Sequence, residues 1–167
     1  MKRDELNTVL RDQARELGLC DEWYGGWKNE TKQQLIEKYL KGIDFCIKHD
    51  YPSLDFIERN FDEETLIENG IFVNHYIEAE NTRMVVALGN SSGSLRYNGV
   101  CSCEVYVRHN SEVDITAADG AKVFVEVYEQ GKIHITSSGA AKVFVYKHGG
   151  DVVYEGNVKV RNKTVNE

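Results

Sequence analysis

The chain has 167 residues, with twenty Lys and Arg against twenty-seven Asp and Glu, a formal charge of −7. Hydrophobic residues at 41%, with nine Tyr, six Phe and two Trp, exclude a disordered polar chain and supply enough apolar surface for a core. The acidic balance argues against nucleic acid as a partner, no apolar run approaches the ~18–20 residues that cross a bilayer, and Met1-Lys2-Arg3 runs into Asp4-Glu5 without the apolar stretch of a signal peptide.

From Asp4 to about Leu17 the residues Leu6, Val9, Leu10, Ala14 and Leu17 recur at helical spacing, and Gly18 stands where a left-handed residue closes a helix. The connector that follows holds Trp23, Tyr24 and Trp27 around Gly25-Gly26. Trp23 and Trp27 are expected to lock the first helices together, with a ligand pocket or docking site as the functional alternative. Asn29 or Thr31 caps a second helix whose apolar stripe runs Leu35, Ile36, Tyr39, Leu40, Ile43, Cys46 and Ile47 and which stops near His49 or Asp50, ahead of Pro52. Ser53 and Asp62 are N-cap residues for two more short helices, the last closed by Gly70. The acidic run Asp62-Glu63-Glu64 fits a helix start better than a metal site, because the helix dipole favours carboxylates there.

After Gly70 the period becomes two. Ala121-Lys122-Val123-Phe124-Val125 returns unchanged as Ala141-Lys142-Val143-Phe144-Val145, twenty residues on, and Lys132-Ile133-His134-Ile135-Thr136 follows Glu112-Val113-Asp114-Ile115-Thr116 at the same spacing. Weaker copies are Val105-Tyr106-Val107, eighteen residues before Val123-Phe124-Val125, and Val86-Ala87-Leu88, nineteen before that; Val152-Val153-Tyr154 and Val158-Lys159-Val160 extend the series. Coils of 18–20 residues are too small to bury their own apolar side chains, so they must stack. The expected fold is therefore α+β: a helical module over 1–70 capping a parallel β-solenoid over 71–167, with an antiparallel meander or sandwich as the alternative. This reading aligns Val105, Val123 and Val143 in one interior column, Val107, Val125 and Val145 in the next, and Val113, Ile133 and Val153 on the opposite wall. It turns Tyr106, Phe124 and Phe144 outward as an aromatic ladder, and Asp114, His134 and Tyr154 as a polar column. The first rung is expected around Ile71–Val73 or Met84–Val86, and the polar tail over 161–167 is expected to blunt the last one.

The aromatic ladder, Tyr106, Phe124 and Phe144, is the leading interaction surface, to be covered by the helices, by another subunit or by a stacked sugar. No phosphate-loop, dinucleotide, zinc-helix or nucleophile-elbow motif is present. Gly89 to Ser94 reads as a turn between rungs, and Glu78 with Glu80 as a solvated strand edge rather than a glycosidase pair. Cys101 and Cys103 alternate onto one face as small core groups, and Cys46 with His49 makes only half of a zinc site. No cofactor, no metal and no catalytic residue is expected. A small hydrolase using carboxylates and His134 is the weakest alternative.

Two stretches carry a resemblance: Leu10-Arg11-Asp12-Gln13-Ala14-Arg15-Glu16-Leu17-Gly18-Leu19-Cys20 with Trp23-Tyr24 and Trp27, and Tyr39-Leu40-Lys41-Gly42-Ile43-Asp44-Phe45-Cys46. Together they resemble a helical module in uncharacterised proteins of gut anaerobes and their phages, where a valine-rich repeat follows. The repeat is similar in period to bactofilin-like and tail-associated β-solenoids. The resemblance implies a phage or prophage context and a virion association. Cys20, Cys46, Cys101 and Cys103, in a chain with no export signal, are expected to be reduced thiols in a cytoplasmic location. The expected function is a non-enzymatic assembly or protein-interaction role, with self-association as a homo-oligomer. The alternative is a ligand- or carbohydrate-binding module using its exposed aromatics.

Overall fold

In the computed structural model, which describes residues 1–164, the chain divides into a helical unit, Met1–Asn69, and a β unit, Gly70–Glu167. Six helices form the first: α1 (Arg3–Glu16), α2 (Asp21–Gly25), α3 (Lys32–Lys41), α4 (Ile43–His49), α5 (Leu54–Asn60) and α6 (Glu63–Glu68). Leu6, Leu10 and Ala14 bury one face of α1, and Gly18 ends it at φ +101°. Thr31 and Gln34 form a reciprocal capping box on α3, while Ser53 and Asp62 accept the Phe56 and Thr65 amides to cap α5 and α6. Thr65 also holds the Asp62 carboxyl below its usual range through those hydrogen bonds.

Two expectations change. The connector after Gly18 contains the short helix α2. The second helix is broken into α3 and α4 at Gly42, whose φ −103° and ψ 28° leave the helical spiral. Glycine is the poorest helix former in that stretch, and the Trp23 ring lies against its Cα, where a Cβ would sit 3.5 Å from the indole.

The β unit contains β1 (Ile71–Val73), β2 (Tyr76–Glu80), β3 (Met84–Leu88), β4 (Ser92–Tyr97), β5 (Ser102–Val107), β6 (Glu112–Ala117), β7 (Lys122–Val127), β8 (Lys132–Ser137), β9 (Lys142–Lys147), β10 (Asp151–Glu155) and β11 (Val158–Asn162). Odd strands make one sheet in the order β1-β3-β5-β7-β9-β11, and even strands the other, β10-β8-β6-β4-β2. Every pairing is parallel, giving a β-solenoid of about four turns.

Six-residue strands alternate with four-residue turns over the central coils. His109, Asp119, Glu129 and Gly139 recur every ten residues with φ of +62°, +57°, +55° and +60°, so each turn is made by one left-handed residue. The residue entering each strand faces the corner of the core and must be small. On one corner Ser91, Ser111 and Gly131 stack, and on the other Ala121 and Ala141. The Ser91 and Ser111 hydroxyls donate to the carbonyls of Leu88 and Gly89. Gly93, inside β4 at φ +151°, lies so close to β2 that a Cβ would fall 1.8 Å from the Ile77 carbonyl oxygen.

The register corrects the expected columns. From β3 to β9 the strands align at twenty residues, not eighteen or nineteen: Cys103 lies beside Val123 and Val143, and Val105 beside Val125 and Val145. On the facing sheet Val113 and Ile133 continue to Val152, not to Val153, and Ile115 and Ile135 continue to Tyr154. All the central members of these columns are essentially inaccessible to water, each worth ~1.5–3 kcal/mol of apolar burial. Cys101 sits half-buried in the turn ahead of β5, and only Cys103 is a strand residue of the core. Gly89–Ser91 make a turn as expected, but Ser92, Gly93 and Ser94 belong to β4. Of the polar tail, 161–164 continue or follow β11; residues 165–167 lie outside the described residues.

Candidate functional site

The twenty-residue register takes Tyr106 out of the aromatic ladder. It lies beside Val86 and Glu126, and is only 5% exposed. The residue next to Phe124 is Glu104. The ladder is therefore a pair: Phe124 and Phe144 stack with centroids 5.3 Å apart and planes at 17°. Both rings are half-buried, and the Lys122 ammonium stands 6.0 Å from each centroid. A valine-x-valine pattern reads the same when shifted by two residues, which is why Tyr106 and Phe124 look equivalent in the sequence.

A second stack at the end of the same sheet was not anticipated. Arg108, Tyr128 and His148 follow one another at twenty-residue steps. The Arg108 guanidinium lies 5.1 Å over the Tyr128 ring, and Tyr128 and His148 stack at 4.1 Å with planes 2° apart. Carboxylates flank it: Glu129 pairs with Arg108 at 2.8 Å and Glu126 with His148 at 3.1 Å. The signal was the twenty-residue spacing itself, applied to polar residues outside the valine pattern.

In the helical unit, Trp23, Tyr24 and Trp27 pack against the core cluster of Leu6, Leu10, Ala14, Leu19, Leu35, Cys46 and Tyr51. Lys38 covers both indoles, its ammonium 5.6 Å from Trp23 and 5.0 Å from Trp27, and is itself tied to Glu30 at 3.5 Å. Arg11 and Arg15 cover Tyr24 at 5.2 and 5.0 Å. The aromatic faces are thus engaged by this chain's own cations. A shallow hollow beside them is lined by Glu22, Glu30, Glu37, Lys38 and Lys41, a mixture of opposite charges. The buried Asn7, unremarked in the sequence, receives the Trp27 Nε1–H and the Glu30 amide on Oδ1.

Burial pushes the Cys46 and Cys103 thiols up to about 12, making them packing groups rather than nucleophiles at neutral pH. Glu78 and Glu80 share the open face of β2, and Asp114 and His134 stand 3.7 Å apart on the open face of β6 and β8. The neighbour continuing their column is Val153, not Tyr154. Among the described residues every buried side-chain nitrogen and oxygen has a hydrogen-bond partner.

The remaining feature is at the end of the coil stack. Of the exposed large hydrophobics in the β unit, Tyr76, Val100, Val153, Tyr154 and Val160, three lie on β10 and β11. By register Tyr154 continues the Ile115–Ile135 column and Val160 the Val125–Val145 column, yet they are 47% and 38% exposed. Val153 is 63% exposed. Each of the two strands has a pairing partner on one side only among the described residues. Neither a protein-family model, nor a curated protein, nor a solved structure matches this chain significantly.

Proposed function

We propose that this chain is a non-enzymatic assembly or protein-interaction protein that self-associates. One observation carries the reading: interior columns that are dry through the central coils emerge into solvent at Tyr154 and Val160, on strands whose outer backbone edges are unpaired among the described residues. Such an edge is a template for further strand pairing. A ligand-binding role finds less support, because Lys38 already occupies the Trp23 and Trp27 faces, and Tyr106 is buried. A phage or prophage context, with a virion association, rests on the resemblance of the helical module alone, and a cytoplasmic location on the four free cysteines.

Sedimentation velocity of the full chain across a wide concentration range tests the reading. A homo-oligomer is expected. A monomer at every concentration up to several hundred micromolar, with no partner co-purifying from the native source, would remove it.

A further inference from the structure

Resting on that self-association, we propose that the partner at the exposed end is a second copy of this chain, docked end to end about a two-fold axis so that β10 of each copy pairs with β11 of the other. The argument begins with charge. β10 carries Asp151 and Glu155 on its outward face, and β11 carries Lys159 and Arg161 on its outward face. The two terminal strands of one rung therefore have opposite signs.

Two copies meeting end to end can be related in two ways. An axis perpendicular to the sheets sets β10 against β10 and β11 against β11, acid on acid and base on base. An axis parallel to the strands sets each β10 against the partner copy's β11, acid on base, twice per dimer. Like charges across an interface cost more than favourable pairs return, so the second arrangement is selected. It is also isologous and closes, giving a dimer and not a fibre.

Gly156 and Asn157 join β10 to β11, so the two strands run opposite ways across the core. Rotation about an axis parallel to the strands keeps their directions, so each β10 meets the second copy's β11 antiparallel. The register within that pair is set by the alternation of side chains: pairing outward with outward residues sets Asp151 against Arg161 of the second copy and Tyr154 against its Val158. Outward residues face outward residues, and Val152, Tyr154, Val158 and Val160 join one continuous interior. The backbone groups on the open edges and the exposed Tyr154 and Val160 are covered together.

Charge reversal tests this in the full chain, with mass measured by sedimentation velocity and folding checked by circular dichroism. One variant carries Asp151→Lys with Glu155→Lys, and another Lys159→Glu with Arg161→Glu. Each alone is expected to weaken the dimer by roughly tenfold or more, because all four strands then have one sign. An equimolar mixture of the two is expected to restore it as a heterodimer. Dimers that persist in both single variants but dissociate in Phe124→Ser with Phe144→Ser overturn this geometry while leaving self-association standing. A mixture that stays monomeric although the unmodified chain dimerises also overturns it. A monomeric unmodified chain removes both readings.

Discussion

The indole N–H of Trp27 donates to Oδ1 of Asn7 at 3.0 Å, and that oxygen also accepts the Glu30 amide at 3.0 Å. The Asn7 Nδ2 in turn donates to the carbonyls of Arg3 and Glu30, each at 2.8 Å. One side chain, 5% exposed, thus ties the segment after α2 to the first turns of α1. Replacing it orphans several groups that burial has already separated from water. Asn7→Ala is expected to cost the helical unit about 2–3 kcal/mol. Urea denaturation followed by tryptophan emission measures this, and a loss under ~0.5 kcal/mol would show the network to be dispensable.

The interior columns make a second prediction. Val125 is inaccessible to water between Val105 and Val145. Val125→Ala leaves a gap in a column with no flexible neighbour to fill it, and is expected to destabilise the β unit by about 2 kcal/mol. Glu112→Ala, on the open face, should change stability by less than ~0.5 kcal/mol. Equal effects in thermal unfolding would contradict the assignment of interior and exterior.

Gly93 offers a sharper case. A Cβ there would overlap the Ile77 carbonyl oxygen at 1.8 Å and the Ile77 nitrogen at 2.7 Å, and the φ of +151° is itself foreign to other residues. Gly93→Ala is expected to cost more than ~4 kcal/mol or to prevent soluble expression. Ser94→Ala, one residue along and exposed, serves as the control.

Alkaline pH should weaken the fold through Cys46. Burial raises its folded-state value from 9.0 to about 12. The unfolded chain therefore releases this proton first, so the stabilisation is complete below pH 9 and is lost as pH rises toward 12. Stability curves from pH 8 to 11 should slope downward, and Cys46→Ala should make the slope shallower despite lower stability throughout, with Cys103, raised likewise, supplying the slope that remains. At neutral pH a thiol reagent should modify exposed Cys20 readily, and buried Cys46 and Cys103 only on unfolding. Rapid labelling of Cys46 in the folded chain would refute this.

The order of elements was legible in the amino-acid sequence because it rests on local physics. Thr31, Ser53 and Asp62 cap helices by bonding amides three residues away, and valine and isoleucine alternating at period two mark buried strands wherever they fall. The identical pentapeptides at 121 and 141 force coil stacking because neither can bury its valines alone. Local pattern could not choose the register of β3, where the nineteen-residue spacing is a one-residue slip: Val85 and not Val86 lies beside Val105, and the run Val85-Val86-Ala87-Leu88 has no alternation to mark which residue faces in. Nor could it choose that of β5, where sliding by two residues keeps every valine inward, so an eighteen-residue and a twenty-residue repeat are equally hydrophobic. What chooses between them is the stacking of turns, in which Gly89, His109 and Glu129 take left-handed backbone at steps of twenty and the corner residues Ser91, Ser111 and Gly131 follow in line. That alignment is a relation between coils, made only when they stack. It decides that Tyr106 is buried beside Val86 and Glu126, and that the open end of the columns falls on Tyr154 and Val160.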